Sequence, residues 1–117
     1  MLFIYYPKCT TCQRAKKYLD SHEIAYTERN IKEEPPTYDE LSKWYTASGL
    51  PLKKFFNTSG MLYRSMELAQ KLPDMMEEEQ LRLLASDGML VKRPIVVDGD
   101  VILVGFKEAE WKQLNSK

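Results

Sequence analysis

Leu2-Phe3-Ile4-Tyr5-Tyr6-Pro7-Lys8-Cys9-Thr10-Thr11-Cys12 is the stretch whose reading decides the fold. Leu2 to Tyr6 are all aliphatic or aromatic, the composition of a buried strand, and Pro7 stops the run because it has no amide to give a ladder. After Cys9 the period changes. Ala15, Tyr18 and Leu19 share one helical face, and Gln13, Arg14, Lys16, Lys17 and Asp20 supply the polar positions. A strand that turns into a helix through Cys-x-x-Cys brings two thiols within one turn, close enough for a small disulfide ring. With Cys9 at the helix start, the free amides and the dipole there favour a thiolate. On this reading Cys9 attacks, and Cys12, facing the protein more than the solvent, resolves the mixed disulfide. Lys8 adds charge nearby on a flexible stem. The bland alternative is two reduced, packed thiols. Zinc is disfavoured, because His22 is the one other soft ligand and there is no second cysteine pair; no metal is expected. His22 reads as a partly exposed surface residue near a helix end.

Working outward, Ile24 to Asn30 predicts a second short strand. Strand, helix, strand in the first thirty residues favours a parallel pair with a right-handed crossover. Pro35-Pro36-Thr37 then breaks the pattern, and Thr37 with Glu40 forms a capping-box signature ahead of Tyr38, Leu41, Trp44 and Tyr45 at helical spacing, with Gly49 as the stop. From Leu50 to Gly88 the sequence predicts helical pieces, interrupted at Asn57-Thr58-Ser59-Gly60 and Pro73-Asp74. Met76 to Ala85 is the clearest, with Glu77, Glu78 and Glu79 in its first turns where the dipole favours them. Met61, Met66, Met75 and Met76 read as packing within this block, and Lys53 and Lys54 as a solvated helix surface. Ile95 to Val97 and Val101 to Val104 flank Asp98-Gly99-Asp100, a hairpin signal. The remaining residues predict a terminal helix with Ala109 and Leu114 inward and Trp111 at its edge.

The predicted order is therefore strand, helix, strand, a block of helices, two strands and a helix. One mixed sheet shared by both ends of the chain, with the helical block inserted beside it, satisfies that order. The expected division is a single domain over 1–117, with 1–33 and 89–117 as the α/β core and 34–88 as the insertion.

Composition bounds the partners. The chain has 117 residues, enough for one modest core, with 44% hydrophobic and 29% charged residues, as in ordinary globular domains. Lys plus Arg and Asp plus Glu both number 17, so the formal charge is zero and the basic footprint of a nucleic-acid binder is missing. Direct nucleic-acid binding is not expected. No apolar run approaches the length of a membrane span, and no export signal is legible at the N-terminus. The expectation is a cytoplasmic monomer whose cysteines sit in a reducing compartment, which shifts weight from structural stapling to reactivity.

Lys92-Arg93-Pro94-Ile95 is the second informative stretch. Pro94 either starts the strand in trans geometry or takes the cis form and exposes a neighbouring backbone edge to a substrate.

Taken together, Tyr6 to Cys12, Phe56-Asn57-Thr58-Ser59-Gly60 with Arg64, Lys92-Arg93-Pro94-Ile95-Val96-Val97 and Val104-Gly105-Phe106 resemble the arsenate reductase/Spx family, in particular its small, poorly characterised, glutaredoxin-like bacterial branch. The resemblance spans nearly the whole chain. It implies a thioredoxin-like fold with an added helical subdomain, Cys9 as nucleophile, Arg64 and Arg93 as oxyanion-binding arginines, and Pro94 as the structural proline of the substrate loop. Planar guanidinium groups suit that task because they clamp an oxyanion through paired hydrogen bonds. The third family arginine falls at Gly105, and Cys12 replaces the serine of the glutaredoxin-coupled pattern. Both departures favour a dithiol exchange role or a different substrate over arsenate turnover.

The resemblance thus implies a thiol–disulfide oxidoreductase-like protein with no tightly bound cofactor, served by glutathione or a thioredoxin/glutaredoxin reductant or acting on a disulfide-bearing protein. A glutathione/glutaredoxin-coupled arsenate reductase is one alternative. The other is an Spx-like redox-sensitive transcriptional regulator, which uses CxxC as a switch and contacts the RNA polymerase alpha subunit. Typical regulators of that kind carry a longer C-terminal extension than this chain shows.

Overall fold

In the computed structural model, which describes residues 1–114, the aliphatic run after Met1 forms the central strand β1 (Leu2–Tyr5). The last three residues of the expected 89–117 core segment lie outside the described residues. Strand β1 pairs in parallel with β2 (Thr27–Asn30) and antiparallel with β3 (Ile95–Asp98), which in turn pairs antiparallel with β4 (Val101–Val104). The sheet order is β2-β1-β3-β4.

Register lines the side chains up by face, because successive strand residues point to opposite sides. Phe3 stands opposite Val96, and Val96 opposite Leu103. This face is covered by α1 (Thr10–Ser21) and by a one-turn helix (Glu108–Trp111) near the end of the chain, in a cluster that includes Ala15, Tyr18, Leu19 and Trp111. Ile4, Ile95 and Ile102 lie on the opposite face. They pack with Leu41 and Trp44 of α2 (Tyr38–Ser48), with Tyr63 of α3 (Met61–Ser65), Leu68 of α4 (Leu68–Lys71), and Leu81 and Leu84 of α5 (Glu77–Ser86). The terminal one-turn helix is α6. The helical block thus lies over the second face of the sheet.

The capping box forms as its spacing predicts. Thr37 Oγ1 accepts the Glu40 amide at 3.2 Å, and Glu40 Oε1 accepts the Thr37 amide at 3.0 Å. Glu40 also holds Arg29 in a two-pronged pair, Nη1 to Oε2 at 2.7 Å and Nη2 to Oε1 at 2.8 Å. Arg29 also donates to the carbonyls of Glu34 and Pro35 at 2.9 and 3.0 Å. Strand β2 is thereby tied to the start of α2.

Four sequence expectations need correction. The second strand starts at Thr27 rather than Ile24, because the chain after α1 turns sharply at Glu23 (φ 55) and the Ile24 amide bonds back to the Leu19 carbonyl. Trp111, expected at an edge, is completely buried and Ala109 is exposed. A one-turn helix has little room for a periodic face, and the indole decides its orientation: it donates to the Gly105 carbonyl at 3.2 Å and meets Phe3, Tyr18 and Phe106 edge-on. Met61 and Met76 are 87% and 68% exposed, so only Met66 and Met75 pack against the core.

Gly88, where the helical block ends, lies against the carbonyl of Ile31 just beyond β2, and a methyl group on Gly88 would overlap that carbonyl. Among the described residues no helix is long and apolar enough to cross a membrane.

Candidate active site

The short turn after β1 delivers Cys9 to the mouth of α1. The Cys9 amide bonds to the Tyr6 carbonyl at 3.0 Å, and the Gln13 side chain reaches back to the Pro7 carbonyl at 2.9 Å, pinning the loop between them. Cys9 has extended geometry (φ −87, ψ 120) and directly precedes the helix. No acidic residue occupies the first turn of α1, so nothing there opposes a negative sulfur.

The two thiols are free, with Cys9 half-buried and Cys12 completely buried. Their environments push them apart. Burial raises the Cys9 pKa, but the amide and thiol of Cys12 and the guanidinium of Arg93 together outweigh it, and the thiol ends below its ordinary value. Burial pushes Cys12 up to about 12, with the neighbouring Cys9 adding to the rise. A helix start, a cation and partial exposure make Cys9 the sulfur that ionises.

Arg93 precedes Pro94 through a cis peptide bond. Its guanidinium carbon lies 5.2 Å from the centre of the Tyr6 ring, an aromatic platform beside the cysteine turn. Its Nε and Nη1 are buried with no hydrogen-bond partner. Buried donors of a permanent cation left unpaired are costly to keep, and they suit a site that receives an anionic group.

Cys9, Cys12, Arg93 and Pro94 are therefore brought to one place. Arg64 is not brought to the thiol: it is exposed on α3, donates to the Ser59 carbonyl at 3.3 Å, and is not among the groups that shift Cys9. His22 is exposed at the end of α1, stacked on Tyr18 with its Nδ1 2.9 Å from the Tyr18 carbonyl. Among the described residues no three His, Cys, Asp or Glu side chains converge as a metal site would require.

Cys9 and Arg93 open onto a groove of about 900 Å³. Its apolar wall includes Leu50, Phe56, Val104 and Phe106; Lys53, Lys54, Lys92 and Lys107 also line it. Sequence reasoning left Lys53 and Lys54 as solvated surface and did not find Lys92 or Lys107. These four lysines come from three separated segments, and no local pattern joins them. Gly105 sits in the same wall at φ 80, a left-handed geometry that glycine takes without strain. A Cβ there would stand 3.3 Å from Cε of Lys92, so the place of the missing family arginine is overlain by a lysine stem.

The ArsC family model matches residues 4–114. The chain belongs to the ArsC family. It is 54% identical over 113 residues to the uncharacterized protein YusI of Bacillus subtilis (strain 168), covering 97% of this chain and 96% of that one. It is also 31% identical to the global transcriptional regulator Spx of Enterococcus faecalis (strain ATCC 700802 / V583), over 97% of this chain and 85% of the regulator. The crystal structure of an ArsC family related protein from Bacteroides fragilis superposes with a TM-score of 0.96 at 55% identity, covering 97% of this chain and 96% of the other. The four-stranded mixed sheet with its helices is the thioredoxin-like fold of ArsC proteins, as the resemblance implied.

Proposed function

We propose that this ArsC-family protein is a thiol–disulfide oxidoreductase in which Cys9 attacks and Cys12 resolves. The observation that carries this reading is the opposite displacement of the two thiols, one lowered at the helix mouth beside Arg93 and one raised by burial a turn later. The Cys9 thiolate attacks one sulfur of a disulfide R–S–S–R′, forming Cys9–S–S–R and releasing R′–S⁻, which takes a proton from water. The Cys12 thiol then gives up its proton as it attacks the Cys9 sulfur, releasing R–S⁻ and closing the Cys9–Cys12 disulfide. Consumption of the Cys9 thiolate removes the negative charge that helps hold Cys12 protonated, so the resolving step becomes easier after the first has occurred. Glutathione or a thioredoxin/glutaredoxin-type dithiol in the cytoplasm would return the pair to the reduced state. Arg93 and Pro94 form the substrate-side loop.

Redox titration with mass mapping tests the mechanism. Reversible formation of a Cys9–Cys12 bond is expected, with Cys9→Ser abolishing exchange and Cys12→Ser accumulating a mixed disulfide on Cys9. Neither thiol reacting would sink it.

A second reading, arsenate reduction coupled to glutathione and glutaredoxin, is favoured by the unpaired buried nitrogens of Arg93, which suit an oxyanion. Arsenate turnover that needs Cys9 but is indifferent to Cys12→Ser would select it. The likeness to Spx supports a regulatory reading, for which redox-dependent binding to the RNA polymerase alpha subunit is the discriminating measurement.

A further inference from the structure

The charge of this protein is balanced overall and unbalanced locally. Of the 17 basic and 17 acidic residues, five cations, Lys53, Lys54, Lys92, Arg93 and Lys107, line the groove beside Cys9, against a single carboxylate, Glu110. None of the five cations is ion-paired within the described residues; the ion pairs found there, Lys16 with Glu28, Arg29 with Glu40 and Arg82 with Glu78, all lie outside the groove. A mostly apolar wall with unpaired cations around it focuses potential on an anionic guest.

The groove also runs along the open edge of the sheet. Strand β4 is the outermost strand, and Ile102, Leu103, Val104 and Gly105 all line the groove. In an antiparallel ladder, opposed residues alternate between bonded and non-bonded pairs. The Gly105 amide bonds to the Pro94 carbonyl at 2.8 Å, which makes Leu103 with Val96 and Val101 with Asp98 the bonded pairs. The amides and carbonyls of Ile102 and Val104 consequently turn away from β3, and no other backbone bond engages them among the described residues. An edge of this kind is a template for an added strand.

We propose that the groove binds an extended acidic polypeptide segment, which adds to β4 through its backbone, sets its carboxylates against Lys53, Lys54, Lys92 and Lys107, and presents a disulfide-bonded cysteine to Cys9. This rests on the exchange function proposed above and names its substrate class as an acidic protein strand. Arg93, with two buried donors unpaired, receives a carboxylate next to the reacting sulfur. A nucleic acid matches the charge but offers neither a strand backbone for the sheet edge nor a sulfur for Cys9.

The test uses the reduced full-length protein and two synthetic dodecapeptides, each with a central cysteine held as a mixed disulfide with 2-mercaptoethanol. One is flanked by glutamates and valines, the other by lysines and valines. The acidic peptide should react with Cys9 on the order of tenfold faster, and the preference should shrink as salt is raised. Lys53→Glu/Lys54→Glu should erase it, whereas Lys17→Glu/Lys43→Glu, the same charge change away from the groove, should keep it. N-methylation along one edge of the acidic peptide should slow the reaction. Equal rates for the two peptides would overturn the groove proposal and leave exchange chemistry standing, because neutral hydroxyethyl disulfide reports on Cys9 alone. If hydroxyethyl disulfide fails to react, the exchange reading falls. The groove is then still judged by fluorescence anisotropy with serine-containing versions of both peptides. Tighter binding of a single-stranded oligonucleotide than of the acidic peptide would also overturn the proposal.

Discussion

Arg29 on β2 and Arg93 ahead of β3 sit on opposite sides of the central strand, and the chain treats them in opposite ways. Every guanidinium nitrogen of Arg29 is engaged: two oxygens of Glu40 and the carbonyls of Glu34 and Pro35 accept from it, and its side chain is 15% exposed. Arg93 keeps Nε and Nη1 buried and unpaired while its plane lies near Tyr6 and its charge favours the Cys9 thiolate. The same side chain therefore serves as a strut in one place and as an open receptor in the other. What distinguishes them is the presence of a matched carboxylate. Glu40 is fixed by a helix cap and meets Arg29 two-pronged, and no acidic side chain pairs with Arg93 among the described residues.

If that contrast is right, the strut and the receptor fail differently. Arg29→Ala should lower the free energy of unfolding by about 2 kcal/mol in urea titrations, because Glu40 loses a partly buried partner, while alkylation of Cys9 stays at the wild-type rate. Loss of the alkylation rate as well would break the contrast.

Acid should dissolve the strut next. Hydrogen bonding to Arg29 pulls the Glu40 pKa down to about 2 against the opposing effect of burial, with the Thr37 amide helping. Its folded value lies below its unfolded one, so the stabilisation is complete above about pH 4.5 and fades as pH falls toward 2. Since the Glu40 side chain is still 33% exposed, roughly 1.5 kcal/mol is at stake after solvent screening. Urea midpoints measured between pH 6 and 2 should fall less steeply in Glu40→Gln.

Gly105→Ala sharpens the receptor side. It forces an L side chain to φ 80 against the Lys92 stem, and should cost about 1 kcal/mol in thermal unfolding. Smallest is Arg93→Ala: Cys9 alkylation at pH 7 should slow about fivefold and its pH midpoint should move up, with unfolding free energy undiminished. A large loss of stability would make Arg93 a second strut.

The sequence made legible whatever is written locally. The β1 run, the capping box at Thr37 and Glu40, the hairpin about Gly99 and the Cys-x-x-Cys turn each lie within a few residues, and all stand where their spacing puts them. What was illegible depends on segments meeting. Nothing near Trp111 tells that Phe3 and Tyr18 will surround its ring, and nothing near Arg29 announces Glu40 as its partner. Lys53 and Lys107 become neighbours of one groove only after the helical block covers the sheet. Arg64 shows the converse: matched by a motif, it stands exposed, bonded to Ser59 rather than to the thiol.

Gly88 carries a consequence for how such a chain is assembled. Its backbone touches the carbonyl of Ile31, so the polypeptide leaves the sheet and returns to it at nearly the same spot, and the 56 residues between form a purse closed at its drawstring. Excising that loop would leave a gap that a residue or two could span, since rejoining ends already in contact demands little chain entropy. The obstacle to a miniature version is the surface laid bare: Ile4, Ile95 and Ile102 would lose their cover, and the residual sheet would need a new lid before it could stay in solution.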